Sequence, residues 1–140
     1  MTPPLVVESG TAVGTVVEEI QKHGVGYVLI SAEKKLIGIM TERDILLKIV
    51  ARAVDYSEPV DNFMTHDPDT LPNDATLGEA VSLMSEKDFR HVPIVDKATG
   101  EAVAIFSIRY VIDYLAESFP EQVLNLPPRP HQKMTTREGG

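Results

Sequence analysis

The chain has 140 residues, 43% of them hydrophobic, a formal charge of −8 and no cysteine, which suits one cooperative globule or two very small units sharing a core. The lack of cysteine excludes a disulfide framework, a thiolate metal site and a cysteine nucleophile, while 21 acidic residues against 13 basic ones repel a phosphate backbone and argue against nucleic acid as a partner. No apolar run approaches the ~20 residues of a membrane span and no basic-then-apolar leader opens the chain, so a cytoplasmic protein without membrane contact is expected.

Taken in order, the elements repeat. An extended lead, Leu5-Val6-Val7, precedes an amphipathic helix that opens with Val16-Val17-Glu18-Glu19-Ile20. A β-branched run, Tyr27-Val28-Leu29-Ile30, a polar turn from Ser31 to Lys35, and a second run, Leu36-Ile37-Gly38-Ile39-Met40, predict a hairpin. Thr41-Glu42-Arg43-Asp44 then opens a second helix running through Val50, with the Thr41 hydroxyl placed as its N-cap. After a segment rich in Pro, Asp and Ser, the same series returns: the lead Asp69-Thr70-Leu71-Pro72, the helix Ala80-Val81-Ser82-Leu83-Met84, the strands His91-Val92-Pro93-Ile94-Val95 and Ala102-Val103-Ala104-Ile105-Phe106, and a helix opened by Ser107-Ile108-Arg109-Tyr110.

The offset between copies is 64 residues at the first helix and 66 at the second strand, the extra two lying in the turn Lys97-Ala98-Thr99-Gly100, where an insertion costs least. A single unit of about 50 residues buries little of its sheet, whereas two units packed sheet to sheet form a core. The expected organisation is a first motif over residues 1–54, a linker over 55–67 anchored by Phe63-Met64, a second motif over 68–118 and a Pro-rich extended tail over 119–140.

Both halves resemble cystathionine-β-synthase (CBS) motifs, and the pair resembles a stand-alone CBS pair, or Bateman module. The marks are Leu36-Ile37-Gly38-Ile39-Met40-Thr41-Glu42-Arg43-Asp44 in the first half and Phe63-Met64-Thr65 with Phe89-Arg90-His91-Val92-Pro93-Ile94-Val95-Asp96 in the second. The resemblance runs from about Val6 to Leu115 and implies a mixed α/β (α+β) fold of two tandem β-α-β-β-α motifs related by a pseudo-twofold axis. It further implies clefts able to hold AMP, ADP or ATP, association of two pairs into a flat homodimeric disc, and a regulatory role that reports energy state to a partner protein.

The residues themselves suggest which cleft is equipped. A hydroxyl at Thr41 and a carboxylate at Asp44 share one helical turn and can face a ribose, whose vicinal hydroxyls donate to Asp44. Arg43 in the same turn can reach a phosphate. Outside the repeat, the commoner reading of Thr41 and Asp44 is a cap and a dipole partner. By resemblance, Arg90-His91 faces the phosphates of a nucleotide whose ribose sits on the other half, and adenine lies between Ile39 and the backbone of Pro68-Asp69. In the second cleft Ser107 keeps the hydroxyl, Tyr110 replaces the carboxylate, and Gly26-Tyr27 stand where Arg90-His91 stand. One good site per chain is therefore expected.

The four histidines lack metal-ligand spacing, and no phosphate-binding glycine motif or nucleophile elbow occurs, so a non-enzyme without catalytic cofactor or metal is expected. Two other readings stay open: an oligomerisation or adaptor module with vestigial clefts, and a site for another ligand such as S-adenosylmethionine, NAD or a metal ion. The apolar helices Ile45–Val50 and Val111–Leu115 suit association under any of these.

Overall fold

The computed structural model describes residues 3–87 and 89–118, so the expected tail over 119–140 lies outside the described residues. The first sheet has the order β1-β2-β3-β4, formed by Val6–Glu8, Tyr27–Ala32, Lys35–Thr41 and Thr65–His66; the second has the order β5-β6-β7, formed by Leu71–Pro72, His91–Val95 and Ala102–Ser107. In each sheet the short lead strand lies parallel to the strand after the helix, and the next two strands form an antiparallel hairpin. Helices α1 (Val13–His23) and α3 (Leu77–Lys87) make the crossovers; α2 (Glu42–Asp44) and α4 (Ile108–Ser118) follow the hairpins.

Strand periodicity explains how one hairpin serves two cores. Val28 and Ile30 of β2 and Met40 of β3 face α1, whereas Tyr27, Leu29 and Ile39 face the other way. The helix-side residues close a core with Val13, Val16 and Ile20, the i, i+3, i+7 stripe of α1. Residues on the opposite face meet Ile105 from the second sheet, so the middle layer is the sheet-to-sheet contact. Ala80, Met84, Val92, Ile94, Ala104 and Phe106 form the helix-side core of the second half. Full burial of a Leu, Ile or Val side chain stabilises by about 1.5–3 kcal/mol, and β2 supplies three such residues in succession, Val28, Leu29 and Ile30.

The cap residues behave as their spacing predicts. Thr41 and Asp44 form a reciprocal box, Asp44 N–H donating to Thr41 Oγ1 at 3.3 Å and Thr41 N–H to Asp44 Oδ2 at 3.0 Å. The amide of Tyr110 donates to Ser107 Oγ at 3.2 Å. Beyond Asp44 the helix departs from expectation: Ile45–Val50 winds as a π-helix, with Ala51 N–H donating to Leu46 O at 3.1 Å. Such wide turns are rare in helices and concentrate at functional sites.

The segment read as a linker is built into the first half. Its Val60 and Met64 are buried in the first core, Phe63 packs against them, and Thr65–His66 adds β4 to the sheet. Ala12 offers α1 no side-chain cap, and the linker substitutes for one: Val13 and Gly14 donate to Glu58 O and Tyr56 O, both at 2.9 Å. Met64 reaches its place because position 38 is glycine; a Cβ there would collide with the Met64 side chain, lying 2.8 Å from its Cγ.

Candidate functional site

The two halves enclose a cleft of about 820 Å³, within the usual range of roughly 300–1,000 Å³ for small-molecule sites. Ile39, Thr41, Arg43, Asp44, Pro68, Asp69, Arg90 and His91 all line it. The end of β3 and the first turn of α2 supply the first four; the second half supplies the others through the connection ahead of β5 and the start of β6.

Local bonding aims the wall formed by α2. The Asp44 carboxylate accepts from the amide and hydroxyl of Thr41, at 3.0 and 3.2 Å, and pairs with Lys48 at 3.3 Å. Lys48 also donates to Phe63 O at 3.0 Å, tying the helix to the linker. A hydroxyl and a carboxylate are thus held side by side, oriented before any ligand arrives. The carboxylate has four acceptor lone pairs, so further donors can join it.

The opposite wall carries cations. Arg90 on this wall, like Arg43 across the cleft on α2, is exposed, and neither forms an ion pair among the described residues. His91 is half-buried against the Tyr27 ring, with centroids 5.2 Å apart. Its pKa is lowered, first by desolvation and also by the charge of Arg90, while the Glu42 carboxylate opposes the shift. A neutral imidazole is therefore held close to a site where an added anion would draw a proton onto it.

Glu42, Asp67, Phe89, Pro93 and Ile108, which sequence reasoning assigned to no site, also line the cleft, as does Gly26, which the sequence reading placed in the second cleft. Glu42 folds over Gly26, whose added Cβ would lie 2.6 Å from the Glu42 Oε1, and the Glu42 amide donates to Gly26 O at 3.1 Å. Asp67 takes a left-handed conformation, φ 48°, and its amide donates to Ile37 O at 3.0 Å. That turn carries the chain from β4 of one sheet to β5 of the other and lays Pro68-Asp69 along the cleft. The Asp-Pro-Asp run was the available signal, since Asp tolerates this conformation better than most residues.

The residues read as the second cleft make contacts of their own. The strand registers make Tyr27 the counterpart of His91 and Leu5 the counterpart of Asp69. Tyr27 is 4% exposed and its hydroxyl accepts the Leu5 amide at 3.1 Å, so a backbone donor that could read a base edge is already engaged. Burial raises the Tyr27 pKa, opposed by that same hydrogen bond. Tyr110 packs on Phe106 in the second helix-side core, ring centroids 5.2 Å apart, and lines a separate cavity with Leu71, Ala80 and Tyr114. Ser107 remains the cap of α4.

Among the described residues no group of His, Asp and Glu is arranged to hold a metal ion, and no helix is long and apolar enough to cross a membrane. The CBS domain family model matches residues 1–51 and 60–117. An uncharacterized protein from Acidianus ambivalens is 33% identical over 109 residues, covering 77% of this chain and 65% of its own length. Another from Methanopyrus kandleri is 33% identical over 125 residues, covering 84% of this chain and 63% of its own length; the chain thus spans less than two thirds of either relative. Among solved structures, a CBS domain protein from Pyrobaculum aerophilum complexed with AMP superposes with a TM-score of 0.72 at 28% identity, covering 84% of this chain and 94% of that one. A CBS domain pair in complex with 5′-methylthioadenosine and S-adenosyl-L-methionine shares the fold at 24% identity, with a TM-score of 0.73 and coverage of 82% of this chain and 93% of that one. With a twofold match to the family model and a repeated β-α-β-β-α architecture packed sheet to sheet, the chain belongs to the CBS domain family and carries two copies of the motif.

Proposed function

We propose that the cleft between the halves binds an adenine nucleotide, AMP, ADP or ATP, and that the chain acts without catalysis as a regulatory module whose liganded state is read by a partner protein. The observation that carries this reading is the convergence of all eight residues on one cleft, a fixed hydroxyl and carboxylate on one wall and Arg90 with His91 on the other. In this reading Thr41 and Asp44 take the ribose hydroxyls, Arg43, Arg90 and His91 meet the phosphate, and the base lies between Ile39 and the Pro68-Asp69 backbone. The AMP complex of the Pyrobaculum aerophilum relative supports it.

Binding occurs once per chain, because Tyr27 occupies the donor of the second cleft. The exposed apolar residues Leu46, Leu47 and Val50, with Ile112 and Leu115 on α4, form the face through which two chains associate. Ligand binding then shifts the population of states that the partner distinguishes. Calorimetric titration with AMP, ADP, ATP and adenosine tests the proposal: saturation near one nucleotide per chain is expected. No heat with any of them from folded, nucleotide-free protein would refute it and favour the adaptor reading.

A further inference from the structure

In the first half, the stretch after the π-turn acts as a strap over the start of α1. The carbonyls of Glu58 and Tyr56 accept the amides of Val13 and Gly14 at 2.9 Å, Val60 N–H donates to Thr11 O at 2.8 Å, and the Val60 side chain is buried in the core. Gly14 is glycine where the strap presses: a Cβ there would lie 3.4 Å from both Cβ and O of Tyr56.

In the second half the same place is a cavity of about 210 Å³ between the start of α3, the inner face of the sheet and α4. Val13 is 0% exposed, yet Leu77, its counterpart, is 36% exposed. Gly78 is the counterpart of Gly14, but a Cβ on it would meet only Thr76 Oγ1, at 3.8 Å. No carbonyl among the described residues accepts the amide of Leu77 or Gly78. Among the described residues the second half therefore has the seat and the glycine but no strap.

The sequence after α4 supplies a matching segment. Tyr56-x-Glu58-x-Val60-x-Asn62-Phe63 is echoed 63 residues later by Phe119-x-Glu121-x-Val123-x-Asn125-Leu126. We propose that residues 119–126, outside the described residues, dock in this cavity as the strap of the second half. Phe119 and Glu121 offer their carbonyls to Gly78 and Leu77, Val123 fills the space that Val60 fills in the first core, and Leu126 covers it as Phe63 does.

The reach is short. Tyr114, which lines the cavity, lies one helical turn before Ser118, and the three residues 119–121 extended span roughly 10 Å. The correspondence also ends where it should. Ala104 stands at the counterpart of Gly38, a position where a Cβ in the first half would collide with Met64, and Pro127 and Pro128 have no amide to donate. The strap accordingly adds no counterpart of β4.

Amide hydrogen exchange at Leu77 and Gly78 in the full chain tests this. Val123→Asp combined with Leu126→Asp is expected to speed exchange at both amides at least tenfold, with Arg129→Ala as a control that leaves them unchanged. Because the chain has no cysteine, a spin label on Gln122→Cys reports position directly and is expected to broaden the Leu77 and Gly78 resonances of its own chain. Unchanged exchange in the double variant overturns the proposal. So does broadening that arises only between chains in mixed labelled and unlabelled samples, which would assign the cavity to a second copy.

Discussion

Asp44→Ala is the substitution whose consequences for folding and for binding separate most cleanly. In the ligand-free protein the carboxylate accepts from the Thr41 amide and hydroxyl and pairs with Lys48. Losing the box costs about 1 kcal/mol; the pair is partly exposed and adds only a few tenths. The protein should therefore remain folded, with a slightly lower urea midpoint. Binding should suffer more. Hydrogen bonds to a charged group contribute about 1.5–3 kcal/mol each; since the carboxylate is already shared with Thr41, two ribose hydroxyls together are expected to gain about 3 kcal/mol, or roughly 100-fold in Kd. AMP and ATP should lose the same factor, because they carry the same ribose. The assay is calorimetry with AMP and 2′-deoxy-AMP on both proteins: the deoxy compound should bind the native chain about tenfold more weakly than AMP and the variant no more weakly than AMP. A folded Asp44→Ala protein that binds AMP within twofold of the native affinity would refute the ribose assignment.

Protonation of His91 offers a second test. Its folded pKa is depressed by burial below the ordinary 6.5, so its contribution to stability is complete above about 6.5 and is lost as pH falls through the depressed value. Urea midpoints measured from pH 8 to pH 5 should fall less for His91→Gln than for the native chain, and identical profiles would count against the shift. Binding of a phosphate beside the ring should be accompanied by proton uptake near pH 6, seen as a buffer-dependent heat with AMP and not with adenosine. Gly38→Ala forces a Cβ against Met64 and should cost about 1–3 kcal/mol in urea unfolding, with partial recovery in Gly38→Ala/Met64→Ala; two additive losses would contradict the steric account. The β2–β3 loop places Glu33 and Lys34 at φ 50° and 70°, so Glu33→Asn with Lys34→Gly should stabilise by about 1–2 kcal/mol, and an unchanged melting temperature would show that the loop carries no such strain.

The repeated elements were legible because their signals are local. The α1 stripe, the alternation in β2 and β3, and the caps at Thr41 and Ser107 each depend on residues at most seven apart, and the structure reproduces them. The eight cleft residues were legible for a different reason: the repeat and the family resemblance supplied the pairing of halves that no local pattern contains. Where neither applied, the reading stopped short. Ala12 precedes α1 without a capping side chain, and only the fold reveals that Tyr56 and Glu58, more than forty residues away, do the capping.

Sequence alone, then, determined that the chain is two copies of one unit, that the first copy carries a hydroxyl and a carboxylate, Thr41 and Asp44, on one helical turn, and that the second has Ser107 and Tyr110 in their places. Tertiary structure decided the rest. By alignment Tyr27 stands where His91 stands and Tyr110 where Asp44 stands, yet Tyr27 turns to Leu5 between the sheets while Tyr110 turns to Phe106 beneath its own helix. Nothing local dictates that choice, because an aromatic ring with a hydroxyl is satisfied wherever it finds apolar surface and one polar partner. Those partners come from the packing of two sheets, which brings residues as distant as Gly26 and Ile108 to one cleft.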